Sequence, residues 1–226
     1  MVVSWEVGGL ASIKAQKMLC SYQMTDHRQK EKLRTEEKIK QAFDPYFNVP
    51  IEAWKSFADL GEIITTTKDQ SIKNSDTTEK YLSFILKGSG GILLWHNTNF
   101  VCIDLCYEGE FFGDYMSFLN QQPTLLEAVT FERSELFRIS KANFDKLSSN
   151  TEFGDKICRF ASEALFVHKQ KQQIDILTKT ATERYIELQA RQPKIIQRTP
   201  QKHIASYLGV TPQSLSRIRK EQTAKH

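Results

Sequence analysis

Gln213, Ser214 and Arg217 fall within five consecutive positions near the end of the 226-residue chain, inside the stretch TPQKHIASYLGVTPQSLSRIRKE that spans 199–221. Glutamine can pair bidentately with adenine and arginine with guanine in the DNA major groove, and serine can bond either. Lys202, Thr211, Arg219 and Lys220 surround them with groups suited to phosphate oxygens, which give affinity without reading sequence. The same stretch carries two helix-start signals, Thr199-Pro200 and Thr211-Pro212. A threonine hydroxyl caps free N–H groups, and proline suits the first helical position. Gly209 can take positive φ and end the first helix. Ile204 and Leu208 lie one turn apart on the first predicted helix, and Leu215 and Ile218 share a face of the second. Small Ala205, a glycine four residues later and an aliphatic six beyond that form the spacing of a DNA-binding helix-turn-helix. A generic helical hairpin with solvated arginines is the competing reading, and the agreement of caps, glycine and basic charge favours the first.

Charge points the same way. Residues 178–226 hold ten basic and three acidic side chains, a net +7, whereas 1–177 carry −3. A basic C-terminal segment on a mildly acidic body is the footprint of a polyanion binder. There is no run of 18 apolar residues and no basic-then-apolar leader, so neither a membrane span nor a secretory signal is expected. Cys20, Cys102, Cys106 and Cys158 lack paired zinc-finger spacing, and a cytoplasmic protein with reduced thiols is expected.

Residues 1–30 have no clear period and read as a leader without regular structure. A short helix is expected from Glu31 to Phe43, with Leu33 and Ile39 apolar, and another from Ile51 to Leu60. From Gly61 the texture becomes β-branched: segments at 62–67, 81–86, 92–95, 100–106 and two within 127–140 alternate with turn signals, among them Lys73 to Asp76 and Lys87 to Gly91. Short strands at such spacing predict an antiparallel barrel or sandwich. After Ser140 the helical period returns. Phe153, Ile157, Phe160, Ala164, Val167, Lys171 and Ile174 alternate at intervals of four and three, a seam suited either to pairing with a second copy or to packing on the chain's own core. A further helix from Thr178 to Gln189 should stop before Pro193.

Other chemistry is weaker. Asp104, Glu108, Glu110 and Asp114 form an acidic run with no histidine or cysteine at ligand spacing on a predicted element, apart from Cys102 and Cys106 on a strand-like segment, and they read as turn and surface residues. His96 and His168 could ligate haem by residue type only, and structural histidines are the plainer reading. No metal, cofactor or enzymatic activity is expected. A second class of function remains open at this point: a ligand-sensing or protein-interaction module whose helical tail docks a partner protein instead of DNA.

A β-rich region, a long seamed helix and a helix-turn-helix, in that order over about residues 31–221, resemble the cyclic-AMP-receptor and fumarate-nitrate-regulator (Crp/Fnr) superfamily. The resemblance is carried by YLSFILKG at 81–88, GEFFGDYMS at 109–117 and the segment 201–220. It implies an α+β fold: an N-terminal antiparallel β-roll like a cyclic-nucleotide-binding domain over 31–147, a dimerisation helix over 148–177 with Phe153, Ile157, Phe160, Ala164 and Val167 at its seam, and a winged helix-turn-helix over 178–226. It also implies a homodimer on a palindromic double-stranded DNA operator, contact with RNA polymerase, and base reading by Gln213, Ser214 and Arg217. An effector pocket would lie at Gly113, Asp114, Tyr115 and Thr124. Cyclic-nucleotide binders of the family follow a Gly-Glu, about ten residues on, with an Arg that holds the phosphate. Here Gly113-Asp114 is followed by 120–126, NQQPTLL, which has no arginine, so no cyclic AMP response is expected. Cys20 alone cannot supply the N-terminal cysteine group of the family's iron–sulfur sensors.

Overall fold

The computed structural model describes residues 35–41, 50–150 and 154–223. The expected leader at 1–30, together with Leu33, Phe43 and Phe153, lies outside the described residues. Helix α1 (35–41) and helix α2 (Ile51–Asp59) precede eight strands: β1 (Gly61–Thr66), β2 (Ser71–Lys73), β3 (Tyr81–Lys87), β4 (Gly90–His96), β5 (Asn99–Cys106), β6 (Phe111–Phe112), β7 (Leu126–Thr130) and β8 (Ser134–Ser140). Helix α3 (Tyr115–Asn120) interrupts them. Then come α4 (Lys141–Asn150), α5 (Gly154–Thr178), α6 (Ala181–Arg191), α7 (Ile195–Arg198), α8 (Gln201–Tyr207) and α9 (Pro212–Thr223).

All strand pairs are antiparallel, in two four-stranded sheets of order β1-β8-β3-β6 and β2-β7-β4-β5. The hairpin between β4 and β5 closes on Asn97, which takes a left-handed φ of 54° that asparagine tolerates. Ile85, Ile92, Cys106, Phe112, Ala128 and Leu136 fill the space between the sheets. Trp54 and Phe57 of α2, Phe144 and Leu147 of α4, and Cys158 of α5 cover Leu82, Phe84, Phe137 and Ile139 on the first sheet.

The second sheet has a different cover. Leu93, Cys102, Leu105 and Phe131 share one buried cluster with Tyr185, Leu188, Ile204, Leu208, Leu215 and Ile218, so the C-terminal helices and the sheet have a continuous core. Strand β5 is an edge strand, and α8 lies along it: the Ser206 hydroxyl accepts from the Cys102 N–H at 2.9 Å. That pairing blunts an edge which would otherwise present free backbone groups.

Three expectations need correction. Lys73 does not open a turn; it ends β2 with its side chain almost fully buried. Asp104 and Asp114 are buried, not surface residues, because each has a lysine partner brought from a distant element. The wing expected beside the helix-turn-helix is not formed among the described residues. The segment between α6 and α8 is the short helix α7, after Pro193, which cannot donate to a sheet ladder, and no strand follows β8.

Candidate nucleic-acid interface

Helix α9 is held by two apolar side chains, Leu215 and Ile218, which point into the shared core. Thr211 caps it: its hydroxyl accepts from the Ser214 N–H at 3.1 Å and lies 3.0 Å from the Ser214 hydroxyl. The turn before it depends on Gly209 at φ 68°, and the Val210 N–H donates to the Ala205 carbonyl at 2.9 Å. Ala205 is buried at the crossing of α8 and α9, as its size allows. Gln201 of α8 ties the two helices, donating to the Pro212 carbonyl at 3.1 Å and to the Ser216 hydroxyl at 2.8 Å.

With the apolar side anchored, Gln213, Arg217 and Lys220 are exposed along α9, and Ser214 is half-buried beside them. Arg217 lies 4.0 Å from Glu221, a loose exposed pair that leaves the guanidinium available. Arg219 is half-buried and turned toward Tyr185 of α6. Lys202 on α8 places its ammonium 5.7 Å from the centre of the Phe100 ring. Of the candidate base readers, Gln213 and Arg217 thus share an exposed strip with Ser214 only partly open beside it, whereas the candidate phosphate contacts are spread over both helices and the turn.

The first of the two expected caps behaves differently. α8 begins after Pro200 without a side-chain cap, and the Thr199 hydroxyl instead meets the Tyr107 hydroxyl at 2.7 Å. That contact belongs to a junction with no local sequence signal. Arg198 forms two parallel hydrogen bonds with Glu108, at 2.9 and 2.7 Å, and also reaches Glu132 and the Gly88 carbonyl. Burial is the largest single influence and acts to raise the Glu108 pKa, but the Arg198 hydrogen bonds and charge, with backbone N–H groups of Gly88 and Glu108, together hold the carboxyl below its usual range. His203 of α8 is sandwiched between Phe100 and Phe131, with centroids 4.9 and 4.6 Å away. Desolvation brings its pKa down to about 4, with Lys202 adding to the effect and Asp69 opposing it.

The expected effector residues converge only in part. Asp114 caps α3 by accepting from the Ser117 N–H at 3.0 Å. The Lys73 ammonium lies 3.0 Å from Asp114 and donates to the Thr124 hydroxyl, the Thr124 carbonyl and the Leu126 carbonyl. Thr124, ten residues after Asp114, hydrogen-bonds the same carboxylate. Gly113 sits at φ 148°, where a Cβ would come within 3.1 Å of a Glu79 carboxylate oxygen. Burial raises the Glu79 pKa, although N–H groups of Tyr81 and Asp114 point at it. Tyr115 faces away, its hydroxyl 2.6 Å from that of Ser162 on α5. The cluster is therefore an internally satisfied salt bridge with two carboxylates, and Lys73 and Glu79 are members that sequence spacing did not reveal.

Of the seam residues, Ile157 and Phe160 lie on α5, Ala164 is half-buried and Val167 is exposed. The opposite side of α5 packs on the chain itself: Lys169 pairs with Asp104, and Gln172 donates to the Ile103 carbonyl at 2.9 Å. On the other side Phe166, Val167, Ile174 and Leu177 are each at least half exposed. His96 is exposed at the end of β4 and His168 is half-buried on α5. Cys102 and Cys106 are buried on β5, and burial pushes the Cys102 thiol up to about 12, so neither is a ready thiolate ligand. Among the described residues no group of three or more His, Cys, Asp or Glu could hold a metal, and no helix is long and apolar enough to cross a membrane.

No protein-family model and no curated sequence matches the chain. Solved structures do. CLP of Xanthomonas campestris, described as a c-di-GMP-responsive global regulator, matches with a TM-score of 0.61 at 14% identity, covering 78% of this chain and 93% of CLP. FixK2 of Bradyrhizobium japonicum matches at 0.62 and 14% identity, over 73% of this chain and 85% of FixK2. A cyclic nucleotide-binding domain from Methylobacillus flagellatus matches at 0.57 and 16%, over 63% and 82%. At such identities the likeness speaks for the fold alone: this chain shares the fold of CLP, FixK2 and that cyclic nucleotide-binding domain.

Proposed function

We propose that the protein is a homodimeric transcription regulator that binds a palindromic double-stranded DNA site through α8 and α9. The observation that carries this reading is the strip of Gln213, Arg217 and Lys220 exposed on a helix whose other side is locked in the core by Leu215 and Ile218. Gln213, Ser214 and Arg217 read base edges, and Lys202, Thr211, Arg219 and Lys220 contact phosphates. Residues 31–147 act as an effector-type domain, 148–177 as the pairing helix and 178–226 as the DNA-binding domain. The β-roll does not respond to cyclic AMP: around Gly113, Asp114 and Thr124, where the resemblance puts an effector, the Lys73–Asp114 pair and Glu79 leave a phosphate no unpaired cation, which supports this reading. RNA polymerase is the downstream partner that the fold family implies.

Selection of bound sequences from random duplexes, followed by anisotropy titrations at several salt concentrations, tests the proposal. Arg217→Ala should weaken the selected site by about 1–3 kcal/mol and relax one base position, with little effect on random DNA. Lys220→Ala should weaken both DNAs alike and reduce the salt slope by about one unit. Selection without a consensus, or equal effects of both variants on both DNAs, would overturn it.

A further inference from the structure

A cavity of about 460 Å³ opens where α5, α6 and α8 meet, and no residue of α9 or of the Asp114 cluster lines it. That volume lies in the range which encloses small organic molecules. Ile176 and Leu188 supply apolar wall. Two guanidiniums, Arg184 and Arg191, project from α6 about two turns apart and therefore on the same side of the helix.

The charge balance at this cavity is uneven. Its two lining carboxylates are already matched: Asp175 lies 2.9 Å from Lys171 and 2.8 Å from Lys179, and Glu187 lies 2.6 Å from Lys179. Neither arginine has a carboxylate within ion-pair distance among the described residues. Arg184 donates through Nη2 to the Leu208 carbonyl at 2.6 Å, but its Nε is buried with no hydrogen-bond partner. Arg184 lines the cavity with no carboxylate matched to its charge, so an entering anion would gain a charge-assisted interaction there. Arg191 is exposed, with Glu110 the carboxylate that most favours its charge. The Tyr207 hydroxyl, held against Gln172, adds a neutral polar group to the same wall.

We propose that this cavity binds a small organic acid, with its carboxylate on Arg184 and Arg191 and its apolar body against Ile176 and Leu188. Apolar wall and guanidinium without a paired carboxylate together select that class: an uncharged hydrocarbon leaves both arginines without a counter-ion, and a bare inorganic anion leaves the apolar wall uncovered. The site is separate from the position where the fold family places its effector.

Isothermal titration of the full chain with octanoate, octanamide and inorganic phosphate is the test. Octanoate should bind with a Kd at or below about 1 mM, and octanamide and phosphate at least about tenfold more weakly. Arg191→Gln should weaken octanoate by at least about tenfold while leaving the melting temperature of the free protein unchanged. Three results would each overturn the proposal: no octanoate binding, equal binding of acid and amide, or an Arg191→Gln protein that binds octanoate as tightly as the original. Phosphate binding as tight as octanoate would also overturn it, by reducing the cavity to a bare anion site. None of these measurements involves DNA, so the result stands apart from the DNA-binding reading.

Discussion

Protonating His203 should loosen the attachment of α8 to the sheet, by an amount that follows from its surroundings. The ring is 4% exposed, stacked between Phe100 and Phe131, and its Nδ1 has no partner. Its folded-state pKa is about 4, against 6.5 for the free side chain. The unfolded chain therefore binds the proton more tightly. The stabilisation is complete above pH 6.5 and is lost as the pH falls from there toward 4. The full difference converts to roughly 3 kcal/mol, and about 2 kcal/mol of it is gone by pH 5. Attraction between a charged imidazole and the two flanking rings offsets part of this loss, which makes 3 kcal/mol an upper bound. His203→Phe keeps an aromatic ring in the sandwich and removes the titration. Urea unfolding followed by tryptophan fluorescence suits the comparison, since Trp95 lies 5.6 Å from the Phe100 ring. Other groups titrate in both proteins, so the informative quantity is the gap between the two stability curves, which should change by about 2 kcal/mol between pH 7.5 and pH 5. Parallel curves would show that the sandwich does not exclude the charged form.

Two further outcomes follow from surfaces already described. The original protein should be a dimer at about micromolar concentration by light scattering, and a Val167→Glu, Ile174→Glu double variant should be a monomer, because each apolar side chain lost from a buried seam removes roughly 1.5–3 kcal/mol; a monomeric original protein would refute pairing through α5. Titration with cyclic AMP should give no binding in the micromolar range, and micromolar affinity accompanied by altered DNA binding would show that the Lys73–Asp114 pair opens for a phosphate.

The features legible in the sequence are those written in neighbouring residues. Thr211-Pro212, Gly209 and the spacing of Ile204, Leu208, Leu215 and Ile218 define the two C-terminal helices because caps and periodicity act over a few positions. The longer strands were equally plain, since their alternation and turns are local. What escaped depends on pairs distant in the chain. Lys73 looks like a turn residue until Asp114 and Thr124 fold against it, and Thr199 looks like a cap until Tyr107 takes its hydroxyl. Asp104 reads as a surface acid until Lys169 reaches it, and nothing local marks the exposed Glu108 as the partner of Arg198. The two-residue strand β6 and the four-residue helix α7 are too short for any period to mark them.

These distant pairs bear on the proposed DNA binding. A dimer reads a palindrome only if its two recognition helices stand about 34 Å apart, one turn of the duplex. That separation depends on how rigidly each α9 is held relative to α5, not on the side chains that meet the bases. Here α9 is anchored through Leu215 and Ile218 into a core shared with Leu105 and Phe131 of the β-rich region. The α8 segment is fixed to β5 by Ser206 and His203, and its approach is clamped by Arg198 between Glu108 and Glu132. Strand β5 in turn is held to α5 by the Asp104–Lys169 pair and by Gln172. In the proposed dimer the spacing of the two readers would be set through β5, so a substitution on that strand or at Arg198 is expected to act on operator affinity through geometry, although none of these residues faces the exposed strip of α9.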